Sequence, residues 1–194
     1  MTPTDDDGLA GRKRKLEEDY FRKQDQELIE RMRKAAAAEQ TRRELGDKTG
    51  IQDPELLNEL SALGFTPETV ALLPLIPLVQ TAWAEGGVSA AERGLIVEFA
   101  RRRGIESGSA ADALLSEWLA DCPSAEVFRR ADRLIGALLA AGSGAAADLT
   151  ADDLVKHCEN IAAASGGILG IGRISAEERA AIAAIAAQLK TRGS

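Results

Sequence analysis

This sequence writes the same helix start twice, and that repetition constrains its fold more than any other feature. One copy reads Glu85-Gly86-Gly87-Val88-Ser89-Ala90-Ala91-Glu92-Arg93. The other reads Ser165-Gly166-Gly167, an apolar insertion Ile168-Leu169-Gly170-Ile171-Gly172, then Arg173-Ile174-Ser175-Ala176-Glu177-Glu178-Arg179. A glycine pair ends a helix readily, because glycine accepts the left-handed conformation at a helix C-terminus. Ser89 and Ser175 then stand as N-caps, with Glu92 and Glu178 three residues on. This is a capping box, in which serine and glutamate each satisfy an exposed N–H of the first turn. The pattern predicts two similar helix–loop–helix units.

The rest of the chain punctuates as helices too. Asp53-Pro54 is an N-cap followed by proline at the first helical position, and that helix runs through Leu63 to Gly64. Thr66-Pro67-Glu68 repeats the start signal, and Pro74 and Pro77 kink or split the helix it opens. Further helices are expected over 89–103, 109–120, 123–141, 150–164 and 175–190. Leu114, Leu115, Trp118 and Leu119 face inward on one of them, and Trp83 and Trp118 anchor the core. No segment alternates like a strand. The expectation is an all-α chain of roughly eight helices.

Residues 9–45 have a different character. They contain no proline and only Gly11, and helix formers dominate. They predict one long helical arm after a polar, frayed tail at 1–8. Leu9, Leu16 and Tyr20 share one face. Phe21, Leu28 and Met32 repeat the same spacing on a face turned by about 100°, and Ile29 widens it. Such a stripe on a charged helix predicts docking, back onto the chain's own acidic body or outward onto a protein partner or a second copy, through Tyr20, Phe21, Arg22, Leu28, Ile29 and Met32. Residues 46–52 are expected to be a glycine-flanked linker, and 53–194 the body.

Charge divides along the same line. The arm carries 11 Lys/Arg against 8 Asp/Glu, or +3, and the remainder carries 13 against 23, or −10. An acidic body argues against nucleic acid as the main partner, since phosphate binding needs a cationic surface. Arg12-Lys13-Arg14-Lys15 reads as a solvated helix start. The longest apolar stretch, Val70 to Val79, is broken by two prolines and too short to span a bilayer. No signal peptide is expected at the N-terminus. Cys122 and Cys158 form no CxxC pair, which suits a reduced, cytoplasmic compartment.

Chemistry-bearing residues are scarce. His157-Cys158 are neighbours on a helix and point about 100° apart, so they do not form a nucleophile pair. Gly166 to Gly172 is glycine-rich but lacks the GK[ST] ending of a phosphate loop. A tuck into the core or a partner contact suits it better. The residues point to no enzyme and no cofactor.

Trp83-Ala84-Glu85-Gly86-Gly87-Val88-Ser89-Ala90-Ala91-Glu92-Arg93 resembles the central signature of the TerB-like (tellurite-resistance protein B) superfamily, over roughly residues 66–190. The resemblance implies an all-helical domain with internal pseudo-symmetry and a link to stress responses. It also implies divalent-cation binding through Glu85, Glu92 and, in the second copy, Glu178. The usual loop acid is Glu85 in copy one but Ser165 in copy two, and the insertion brings no side-chain oxygen. Capping therefore accounts better for Glu92 and Glu178 than ligation does. On the arm, Gly11-Arg12-Lys13-Arg14-Lys15-Leu16-Glu17-Glu18-Asp19-Tyr20-Phe21-Arg22 resembles the inhibitory segment of the mitochondrial F1-ATPase inhibitor protein, whose long histidine-rich helix is missing here. That resemblance implies an ATPase inhibitor acting through the arm.

Overall fold

The computed structural model describes residues 6–142, 144–165 and 174–190. The apolar insertion and Arg173 lie outside them, as do residues 1–5 of the expected tail. Among the described residues there is no strand. The fold is all-α: eight α-helices and two short 3-10 segments among those residues. None of these helices is long and apolar enough to cross a membrane. The chain divides into two compact units, Met1–Thr41 and Arg42–Ser194.

Helix α1 (Asp6–Thr49) has 44 residues and runs through that boundary. It also corrects the expected linker at 46–52. Gly46 is helical, and the helix stops only at Gly50, whose φ is +75°. Leu45, Thr49 and Ile51 are buried. The Thr49 hydroxyl donates to the Leu45 carbonyl at 2.7 Å and accepts from the Ile51 N–H at 3.2 Å, so the polar residue enters the core fully satisfied. Gly46 serves close packing rather than freedom: a Cβ there would sit 3.2 Å from the Ile51 carbonyl oxygen, a tight contact that a shift of a few tenths of an ångström would relieve.

Helix α2 (Pro54–Ala62) is capped by Asp53, which accepts from the Glu55 N–H at 2.8 Å. It ends in paired bonds, Gly64 N–H to Ser61 and Phe65 N–H to Leu60, that swing Phe65 into the core. The start expected at Thr66-Pro67 gives no α-helix. Thr66 and Thr69 close a single turn, with the Thr66 N–H donating to the Thr69 hydroxyl at 2.9 Å. A 3-10 segment (Val70–Leu75) comes after it and passes into α3 (Ile76–Ala82). Pro74 and Pro77 lack the N–H that a continuous α-helix would use, which splits the segment.

Next come α4 (Ala90–Arg102), α5 (Ala110–Ala120) and α6 (Ala125–Ala141). Helix α6 starts two residues later than expected, because the Ser124 side chain caps it and Pro123 lies outside. A 3-10 turn at Gly144–Ala146 leads to α7 (Ala151–Ser165), and α8 (Ala176–Lys190) ends the described chain.

The packing of the body follows the repeat. Helix α3 packs on α4, and α7 on α8. Helix α3 also packs on α8, and α7 on α4, with α3 and α7 against each other in the middle. Exchanging α3 with α7 and α4 with α8 leaves this set of contacts unchanged. Helix α6 breaks the symmetry by packing on α3 and α8. Leu72, Leu75, Leu78, Ile96, Leu134 and Ile135 lie at the centre of the core, each essentially without solvent contact.

Candidate functional site

The arm presents the larger of two features. On α1, Tyr20 is 60% exposed, Phe21 63%, Leu28 48%, Ile29 48% and Met32 64%. Leu95, at 36%, is the one other large apolar side chain so exposed among the described residues. Tyr20 and Phe21 meet edge to face with ring centroids 5.9 Å apart. Arg22 is drawn back onto Asp19 in an ion pair one turn away, and Lys34 pairs with Glu30 at 3.6 Å. Such exposed pairs contribute little to stability, so both ends remain available to a partner. The side chains of Leu9 and Leu16, on the other expected face, lie outside the described set.

The second feature is the pair of helix starts. The Ser89 N–H donates to Glu92 Oε2 at 2.7 Å, and the Glu92 N–H donates to Ser89 Oγ at 3.2 Å. The Ser175 N–H donates to Glu178 Oε2 at 2.7 Å, and the Glu178 N–H donates to Ser175 Oγ at 3.1 Å. Both glutamates are buried, at 2% and 1% exposure. Burial pushes the Glu92 carboxyl above its ordinary range. Its bonds from Ser89 oppose that, and the neighbouring charges of Glu178 and Glu85 add to it. Glu92 thus feels the charges of Glu85 and Glu178. Yet among the described residues no three His, Cys, Asp or Glu side chains are gathered so as to hold an ion.

A third reciprocal box, missed in the sequence, opens α7. The Thr150 N–H donates to Asp153 Oδ2 at 3.1 Å, and the Asp153 N–H donates to Thr150 Oγ1 at 3.2 Å. The T-x-x-D spacing was the signal. At α5, Ser109 accepts the Asp112 N–H at 3.2 Å, but the Asp112 carboxylate binds the Gly108 N–H at 2.8 Å and Arg101 at 2.6 Å. These bonds hold the Asp112 acid below its usual range. Long-range clamps were also invisible in sequence. Arg93 donates to the Leu119 carbonyl, Arg103 to the Ala145 carbonyl, and Arg130 pairs with Glu59 at 3.2 Å.

His157 and Cys158 diverge as their spacing requires. His157 lies against Phe99, with ring centroids 4.4 Å apart and the planes tilted by 57°, beside a cleft of about 130 Å³ bordered by Leu78, Leu95, Arg102 and Asn160. Burial lowers its pKa, against the opposing pull of Asp153. The Cys158 thiol is fully buried and pushed up to about 11 by burial, which leaves no thiolate near neutral pH. Trp83 donates from Nε1 to the Trp118 carbonyl at 2.8 Å, and Trp118 meets Phe65 edge to face, so both tryptophans pack at the core as expected. Comparison with protein-family models, curated proteins and solved structures finds no match to this chain.

Proposed function

We propose that this chain is a non-enzymatic cytoplasmic interaction protein. Its arm docks on a partner protein or a second copy, and its TerB-like body serves as the scaffold. The observation that carries the reading is the concentration of exposed apolar surface on α1: five large side chains within thirteen residues, Tyr20 to Met32, each about half exposed or more. A soluble chain seldom keeps such a patch without a use. The matched boxes of α4 and α8 support the similarity to the TerB-like superfamily and, through it, a role in stress responses. The buried Cys158 thiol and the exposed, unpaired Cys122 thiol suit a reducing compartment.

The test is affinity capture with the full chain and with Phe21→Asp/Leu28→Asp. Both sites are exposed, so circular dichroism should be unchanged. The reading expects the variant to lose a defined set of captured proteins, or a tagged second copy. Equal capture by both chains would sink it. Inhibition of F1-ATPase by the isolated arm would replace it with the inhibitor reading.

A further inference from the structure

We infer that the groove between α4 and α7 is a seat for an amphipathic helix of a partner protein. The inference concerns the body and stands independently of the arm. It comes from the internal repeat. Counting back from the two glycine pairs aligns α3 with α7, and counting on from Ser89 and Ser175 aligns α4 with α8. Burial agrees with that register: Leu78 and Cys158, Ile96 and Ile182, and Phe99 and Ile185 are buried as pairs. Helix α6 packs on both α3 and α8, and so covers the groove between them. The image of that groove under the exchange lies between α7 and α4. Among the described residues, the one helix packed substantially on both of these is α3, whose Leu78 lies at the base of the groove.

Matched residues differ in burial accordingly. Pro77 of α3 is buried, but its counterpart His157 is only half-buried. Gln80 is half-buried, with its Oε1 atom wholly so, but Asn160 is exposed. Ala181 of α8 is half-buried, but Leu95 is exposed. Leu95 is also the one large apolar side chain of the body so exposed among the described residues. It borders the cleft of about 130 Å³. An apolar cavity of about 150 Å³ accommodates a benzene ring, so this cleft has room for one leucine- or phenyl-sized side chain. Helix α6 shows what the matching seat takes, since it buries Leu134, Ile135 and Leu138 on one face.

Size and charge favour a single helix over a second folded copy. Helix α4 has 13 residues, so the groove is about 20 Å long and admits about three and a half turns of helix. That is too little to bury the roughly 1,200 Å² of a stable dimer, but it suits an amphipathic helix laid in a groove through one or two apolar anchors. The rim carries an acid and a base one turn apart, Glu98 and Arg102, both exposed and paired with each other. An exposed pair of this kind contributes little and exchanges readily. A partner helix with a base facing Glu98 and an acid facing Arg102 satisfies both charges, and the order of the two fixes its direction.

The test uses the full chain and a fluorescent peptide of residues 124–142, the α6 sequence. The peptide is held helical by a lactam between Arg129→Lys and Arg133→Asp, positions that are exposed on α6. Anisotropy titrations up to about 1 mM cover the weak affinity of so small an interface. The expected result is saturable binding, weakened at least about tenfold by Leu95→Asp and by Asn160→Lys. Both positions are exposed, so circular dichroism of the variants should be unchanged. Absence of saturation overturns the proposal. So does binding that ignores both variants, which would place the peptide elsewhere, its own seat on α3 and α8 included. Tighter binding by a peptide of residues 15–41 would assign the groove to the arm instead. A dimer of the full chain that Leu95→Asp converts to monomer, read by sedimentation equilibrium, would assign it to a second copy. The capture experiment on Phe21 and Leu28 is a separate readout, so this proposal and the docking role of the arm fail separately.

Discussion

Glu92 and Glu178 occupy the same place in two different helices, and each closes its box with a serine N–H at 2.7 Å. They start the two outer helices of a set whose contacts are preserved on exchange, and the charge of Glu178 adds to the burial that raises the Glu92 pKa. Two buried carboxylates that each satisfy a backbone donor are explained by architecture. No reaction is needed to account for them.

Removing either cap should therefore be felt. Ser89→Ala and Ser175→Ala should each cost about 1 kcal/mol, the usual worth of an N-cap side chain. Urea melts of the two variants test this. No measurable loss in either would remove the capping role.

The raised Glu92 carboxyl gives a pH dependence of definite sign. Its folded form holds the proton to higher pH than its unfolded form does. As pH rises between those two values the folded state binds more protons, so this group's contribution to stability falls. Glu92→Gln keeps an acceptor for the Ser89 N–H but never ionises. The variant should thus gain on the wild type near pH 7, and the gain should vanish below the ordinary glutamate range. Asp112 and Asp153, held low by their hydrogen bonds, act in the opposite sense: their contributions are lost as pH falls through their folded values. Urea midpoints from pH 7 to pH 3 separate the two behaviours. A Glu92→Gln difference that ignores pH would contradict the argument.

Specific binding of divalent cations at micromolar concentration is not expected. Hard cations want six to eight oxygens, whereas Glu92 and Glu178 each have an oxygen committed to a serine N–H. Calorimetry with calcium, magnesium and zinc checks this. A stoichiometric site that disappears in Glu85→Ala would promote the cation-binding reading.

Gly144 should be intolerant of substitution. Its φ is +58°, and an added Cβ would collide with the Lys48 carbonyl at the end of α1. Neither strain can relax cheaply, because the obstacle is backbone. Gly144→Ala should cost more than about 1 kcal/mol. Gly46→Ala should cost less, because the gain in helix propensity, about 1 kcal/mol, offsets its milder crowding. Paired chemical melts decide the ranking.

The sequence carried the helix starts well and the helix joins poorly. Asp53, Ser89, Ser109 and Ser175 were legible because a cap is a local device, complete within four residues. Pro67 misled because its neighbours Thr66 and Thr69 close a turn on each other. The end of α1 misled for a different reason. Gly46, Thr49 and Gly50 are the residues of a linker by composition, but Gly46 packs close to Ile51 and Leu57, and Thr49 enters the core bonded to Leu45 and Ile51. The exposed stripe of the arm was legible because its heptad spacing stands out on a helix otherwise charged. The cleft beside His157 was not, since its walls come from α3, α4 and α7.

The place where the arm ends is open to a sharper test than the sequence allowed. By composition a cut after Leu45 would spare the body. In the fold, Leu45 has no solvent contact and Ile51 almost none, while the side chains from Glu17 to Ala38 are exposed and the compact unit begins at Arg42. Deleting residues 1–41 should leave a cooperative, fully helical body with nearly unchanged stability. Deleting 1–52 removes Leu45, Thr49 and Ile51 together. Each large aliphatic lost from a core costs about 2–5 kcal/mol, which approaches the whole stability of a domain this size, about 5–15 kcal/mol. The longer deletion should therefore melt far lower or fail to fold, as read by circular dichroism and urea titration. Equal stability of the two truncations would mean that the end of α1 is not core. If deletion of 1–41 alone unfolds the chain, the arm is structural, and its apolar stripe loses its claim to be an interface.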